Sequence, residues 1–155
     1  MRRLTLDGVP VHPALVHFPV AFWILVPALD AGYWLDRAGP YWRLGWYFAA
    51  GGVISALPAM VAGALDAWAC RKVAAAESTL WRHAGLVLVA WTSFALACLL
   101  CSPTDPQQAH FAGVVMHGVG SLALIVGAHA GGRLAHLHHL PGACDGLEAA
   151  RRTHH

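Results

Sequence analysis

His12-Pro13-Ala14-Leu15-Val16-His17-Phe18-Pro19 runs straight into Val20-Ala21-Phe22-Trp23-Ile24-Leu25-Val26, and this passage from two imidazoles into an unbroken apolar run decides the fold. An apolar stretch of about 20 residues is long enough to cross the roughly 30 Å hydrocarbon core of a bilayer. Three more such stretches follow. The spans expected are 13–35, 41–68, 81–101 and 110–131, with a short polar tail over 141–155. Asp36, Arg37, Gly39 and Pro40 close the first, Arg71 and Lys72 the second, and Ser102, Pro103, Asp105 and Pro106 the third. Pro19 and Pro27 are expected to bend the first span, because proline removes a helical N–H and crowds the preceding turn.

Composition agrees with this reading. Of 155 residues 57% are hydrophobic and only 12% charged, and the mean hydropathy is +0.52, too apolar for a soluble domain of this size. The fold class expected is therefore all-α, a four-helix transmembrane bundle spanning residues 1–140. Ten basic side chains against eight acidic ones form no basic stripe, so a nucleic-acid partner has no support. Arg2 and Arg3 precede the first apolar run, but Pro19, Pro27 and Asp30 interrupt it and no clean small-residue cleavage site follows, so it is read as a retained span rather than a signal peptide.

Four spans put Arg2, Arg3, Arg71, Lys72, Arg82, Arg133, Arg151 and Arg152 on one side and Arg37 and Arg43 on the other. Basic residues mark the cytoplasmic side, so both termini are expected there. Small residues at Gly45, Gly51, Gly52, Ala59 and Gly63, and the pair Gly127 and Gly131, give surfaces for close helix contact. There is no internal repeat at a solenoid period and no low-complexity linker.

Four scattered cysteines do not form a disulfide framework. Cys98 and Cys101 make a C-x-x-C inside an apolar helix, but Ser102 rather than histidine follows, so covalent c-type haem attachment is not indicated. Nor is there a nucleophilic triad, a phosphate-binding loop or a pair of catalytic carboxylates.

The unusual feature is 11 histidines, where average usage would give about three or four. Imidazole is the commonest metal ligand. On the expected topology His12 and His17 enter the first span, His83 enters the third, and His129, His136, His138 and His139 lie at or beyond the exit of the fourth, all on one side. Asp66, near the exit of the second span, joins that layer. A b-type haem takes two axial imidazoles from different helices of a small bundle and an apolar slot for the macrocycle. His17 and His83 are the first pair expected, with His12 and His138 as further ligand candidates and Asp66 as an acceptor that orients an imidazole. In a continuous helix His12 would point about 140° away from His17, and so could not share its ligand face. His117 lies deeper, at a level where no other span supplies a histidine, and reads as a hydrogen-bonding core residue.

The succession His12-Pro13-x-x-Val16-His17-Phe18-Pro19, Leu29-Asp30, Gly63-Ala64-Leu65-Asp66-x-Trp68, Arg82-His83-Ala84 and Gly131-Gly132-Arg133-Leu134 before His138 resembles the DUF2231 family of small four-span bacterial membrane proteins. The resemblance covers nearly the whole chain. It implies the four-helix membrane fold, a bacterial inner-membrane location, and recurrent histidines at His12, His17, His83 and His138. Some members look joined to Rieske-type iron–sulfur domains, which implies redox work near a quinone pool. Where the family's ending has Tyr-Arg-His-Gly after the Gly-Gly motif, this chain reads His136-Leu137-His138-His139.

The function expected is that of a membrane b-type cytochrome, holding one haem b, or two, and passing electrons between a quinol and a redox partner protein within a quinol-linked oxidoreductase. A non-haem metal protein using the same histidines with Asp66, and a cofactor-free structural subunit that packs on partners or on copies of itself through its glycine faces, are the competing expectations.

Overall fold

The computed structural model describes residues 5–7, 9–37, 39–70, 77–105 and 110–137. His138, His139 and the polar tail lie outside them. A minimal hairpin, β1 (Thr5–Leu6) paired antiparallel with β2 (Val9–Pro10), leads into α1 (Val11–Leu15). Then follow α2 (His17–Leu35), α3 (Tyr41–Cys70), α4 (Glu77–Leu100) and α5 (His110–Leu137). α1 with α2, and each of α3, α4 and α5, is long and apolar enough to cross a membrane, so the fold is an all-α bundle of four spans. Leu99, Leu35, Phe111, Ile24, Ile54 and Ile125 point outward. Such exposure would be a liability in water and is the expected lining against lipid.

The first span is not one continuous helix. Pro19 has no amide proton for the Leu15 carbonyl and its ring crowds that turn, so the helix breaks at Val16. Val16 N–H donates back to the His12 carbonyl at 3.1 Å, and Val20 N–H to the Val16 carbonyl at 3.2 Å, holding the short α1 on the end of α2. Pro19 then sits in the first turn of α2, where a missing N–H does no harm. Pro27, by contrast, lies within α2.

The bundle is two antiparallel hairpins, α1–α2 with α3 and α4 with α5; each packs far more extensively on itself than on the other. The two use one packing scheme. In the first, a side chain at Gly45 would meet Leu29 and Asp30, at Gly52 Trp23, and at Gly63 His12. In the second, a side chain at Gly113 would meet Cys101, at Gly120 Phe94, and at Gly131 His83. Asp30, Trp23 and His12 correspond to Cys101, Phe94 and His83 at a constant spacing along the chain, and Gly45, Gly52 and Gly63 to Gly113, Gly120 and Gly131 at another. The repeat unit is a whole hairpin, longer than a solenoid repeat.

Equivalent residues of the two hairpins meet in the seam between them. The His12 and His83 rings lie 6.5 Å apart at 80°. Trp23 stacks on Phe94 with centroids 4.7 Å apart and planes at 7°. Trp42 and its equivalent His110 are 4.7 Å apart. A pseudo-twofold axis therefore runs along the bundle, with the histidine pair near one end and Trp42–His110 near the other. Trp23, Val26, Ala49, Ala56 and Phe94 are the buried core at its midpoint.

Only some of the tryptophans lie in an interfacial belt. Trp34, Trp68 and Trp81 are exposed near span ends, as amphipathic rings in an interface are. Trp42 donates to the Ser102 carbonyl at 2.8 Å, and Trp46 to the Cys98 and Cys101 carbonyls at 3.2 and 3.1 Å. These indoles satisfy main-chain acceptors that the end of α4 leaves without helical donors. Among the described residues, Cys98 and Cys101 are not joined in a disulfide.

Candidate functional site

At the end where α1 begins and α5 finishes, the hairpins bring His12 and His83 together. His12 lies in the first turn of α1 and its Nδ1 is 2.8 Å from the Ala59 carbonyl of α3. His83 lies in the second turn of α4 and its Nδ1 is 2.8 Å from the Gly127 carbonyl of α5. A carbonyl only accepts, so Nδ1 carries the proton in both rings and Nε2 of each neutral imidazole keeps its lone pair. Among the described residues neither Nε2 has a hydrogen-bond partner.

Glycines make these seats. A Cβ on Gly63 would fall 2.8 Å from His12 Cε1 and 2.9 Å from its Nδ1; one on Gly131 would fall 2.9 and 3.0 Å from the same atoms of His83. Each ring thus lays its Nδ1–Cε1 edge in a notch one turn long, Ala59 to Gly63 or Gly127 to Gly131. Both imidazoles are half-buried, and each is held by its Nδ1 bond, with Nε2 the nitrogen not used in it. Metal-ligating histidines are held in this way, by a hydrogen bond from the other ring nitrogen.

The remaining sequence candidates fall elsewhere. His17, expected to pair with His83, is exposed, and its Nδ1 lies 3.3 Å from the Ala14 carbonyl of its own segment. The ring facing His83 is that of His12. The break at Val16 is the reason: the azimuth computed for a continuous helix does not apply across it. Asp66 is half-buried one turn beyond Gly63, but the orienting acceptors of His12 and His83 are main-chain carbonyls. His129 is exposed on α5, and His138 lies outside the described residues. Among the described residues no group of three or more His, Cys, Asp or Glu converges as a metal cage would require.

A second polar cluster, near the opposite end of the axis, was not foreseen as a site. Asp30 Oδ2 accepts from His117 Nδ1 at 2.9 Å, with both residues buried. Near them, at the start of α5, His110 is walled by Tyr33, Trp34 and Trp42 with ring centroids 4.9, 5.3 and 4.7 Å away. Arg37 lies over the Tyr33 and Trp34 rings at 4.6 and 4.1 Å. A carboxylate within an apolar span, as Asp30 is, was the available signal. His117, read as a hydrogen-bonding core residue, has its partner in that carboxylate.

Comparison with known proteins yields one match: a family of predicted membrane proteins, DUF2231, whose model matches residues 8–141. No curated protein and no solved structure matches the chain.

Proposed function

We propose, from the premise that the chain belongs to the DUF2231 family of predicted membrane proteins, that it is a membrane electron-transfer protein that holds haem b between His12 and His83. The observation that carries this reading is the pair of free Nε2 atoms presented from two hairpins. His12 and His83, whose ring centroids lie 6.5 Å apart, would hold the iron. The seam between the hairpins, packed less extensively than either hairpin, is where a planar macrocycle would be inserted. Two imidazoles from different helices would suit a haem iron; a non-haem site would need more protein ligands than come together among the described residues.

When bound, haem would supply one-electron chemistry. The chain's own contribution is to hold both imidazoles as neutral ligands, through Nδ1–H bonds to Ala59 and Gly127, and to exclude water with the Trp23–Phe94 stack below. A quinol in the bilayer and a partner protein at the histidine end of the bundle are the electron donor and acceptor that fit this placement, and the bacterial inner membrane is the setting.

The test is a reduced-minus-oxidised spectrum of protein purified from haem-supplemented cells, with metal and porphyrin assayed on the same sample. A low-spin bis-imidazole α band is expected, lost in His12→Ala and in His83→Ala and kept in His17→Ala. Wild-type protein with neither porphyrin nor iron would overturn the reading. Loss of the band in His17→Ala, with retention in His12→Ala, would restore the pairing of His17 with His83.

A further inference from the structure

The two hairpins serve as controls for each other: a residue type that packing alone demands should recur at the equivalent position. His12 and His83 recur, and so do the glycines that seat them. Asp30 and His117 do not. The equivalent of Asp30 is Cys101, and that of His117 is Ala49, both uncharged and buried. At each of these two equivalent positions, Cys101 in the second hairpin and Ala49 in the first, the same packing is therefore completed without a carboxylate or an imidazole. Burying such groups away from water costs several kcal/mol unless every polar atom is met.

Here they are not all met. Asp30 Oδ1 is buried without a hydrogen-bond partner among the described residues, and so are both ring nitrogens of His110. A pair retained only for architecture would be expected to satisfy its second oxygen. The unmet atoms share a neighbourhood: Tyr33, one turn beyond Asp30 on α2, packs on the His110 ring. Along α5, His110 and His117 are seven residues apart, about 10.5 Å, so a proton passing from His110 to Asp30 would cross by way of water. Inward, His117 stacks on Phe94 at 5.7 Å and Phe94 on Trp23 at 4.7 Å, and one turn along α5 the buried Ser121 Oγ also lacks a partner among the described residues.

We propose that Asp30, His117 and His110 form a proton-binding site that exchanges with solvent on the Arg37 side, with His110 as the relay. In the uptake step one nitrogen of His110 takes up a proton arriving from the Arg37 side, and the proton on its other nitrogen passes by way of water to Asp30 Oδ1. Asp30 becomes a neutral acid and still accepts the His117 Nδ1–H at Oδ2. Release reverses these transfers. Among the described residues, the other titratable and charged groups at this end are Tyr33 on α2, Asp36 and Arg37 just beyond it, Tyr41, Arg43 and Tyr47 on α3, and Cys98, Cys101 and Asp105 at and beyond the end of α4. The site is independent of what His12 and His83 hold.

Infrared difference spectra after a pH step, recorded on the full-length protein in nanodiscs, test this. A carboxylic-acid C=O band should rise in wild-type protein as the pH falls and be missing in Asp30→Asn, which retains an acceptor for His117. His110→Phe, which keeps the ring packing, should reach the same final amplitude at least tenfold more slowly; His110→Gln, which keeps polarity but cannot carry the proton, should be slow as well. Absence of an Asp30 band from wild-type protein at any pH overturns the proposal, whatever the variants do. So does a band that forms at the wild-type rate in both His110 variants.

Discussion

A single methyl group at Gly63 separates a designed imidazole seat from a chance contact. Gly63→Ala places carbon 2.8 Å from His12 Cε1 and 2.9 Å from Nδ1, closer than such atoms approach. The ring cannot simply withdraw, because its Nδ1 is tied at 2.8 Å to Ala59, one turn away on the same helix. Either that bond breaks or α1 lifts off α3. Losing the bond costs about 0.5–1.5 kcal/mol, and overfilling a packed contact typically about 1–3 kcal/mol. The larger effect should fall on ligation, since disturbing the group that orients a metal-binding histidine weakens metal affinity about 10–100-fold. Gly131→Ala should do the same to His83, through contacts of 2.9 and 3.0 Å. Gly132→Ala and Gly118→Ala provide the controls, for a Cβ at either meets nothing within 4 Å. The assay is an absorbance titration of each variant in nanodiscs with haem, alongside thermal unfolding. Wild-type affinity in both Gly63→Ala and Gly131→Ala, or equal loss in Gly132→Ala, would refute the seat as the determinant.

The remaining predictions concern the axis. Phe94→Ala removes one face of the Trp23 stack at a fully buried site and should destabilise the bundle by about 3–5 kcal/mol, read as a lowered denaturant midpoint in detergent; a surface-facing Leu99→Ala should change it little. Asp30 and His117 should show a coupling of about 1–3 kcal/mol in a double-mutant cycle with Asp30→Ala and His117→Ala, the double variant losing less than the sum of the two singles; additive losses would argue against a direct bond. Fragments ending and restarting within 71–76 should co-purify when co-expressed, as each hairpin is chiefly packed on itself, and failure of both fragments to associate would count against two self-contained halves.

Much of this fold was legible because lipid imposes a length and an apolarity that few residues can disguise. The four spans follow from runs such as Val20 to Val26 and the breaks at Gly39-Pro40 and Pro103. The histidine layer was legible too, as His12 and His83 both begin spans. What stayed hidden was azimuth. Pro19 was expected to bend the helix, but a break three residues earlier, at Val16, rotates His12 relative to His17, and spacing counted along an ideal helix misses that. The duplication was hidden for a different reason: it is carried by a few glycines and their large partners, while the lipid-facing positions between them vary freely. Asp30 was visible as an acidic residue in an apolar run, but no local signal names a partner 87 positions away.

The glycine positions have one further consequence. Gly45, Gly52 and Ala59 are seven residues apart, as are Gly113, Gly120 and Gly127, with Gly63 and Gly131 one turn beyond. A sevenfold period belongs to helices crossing at a shallow left-handed angle. Sliding α1–α2 along α3, or α4 along α5, by one turn would displace that hairpin's histidine by about 5.4 Å and end the opposition of the two rings. The notches along the whole length of α3 and α5 thus act as an index: residues far from the imidazoles fix the height at which they meet.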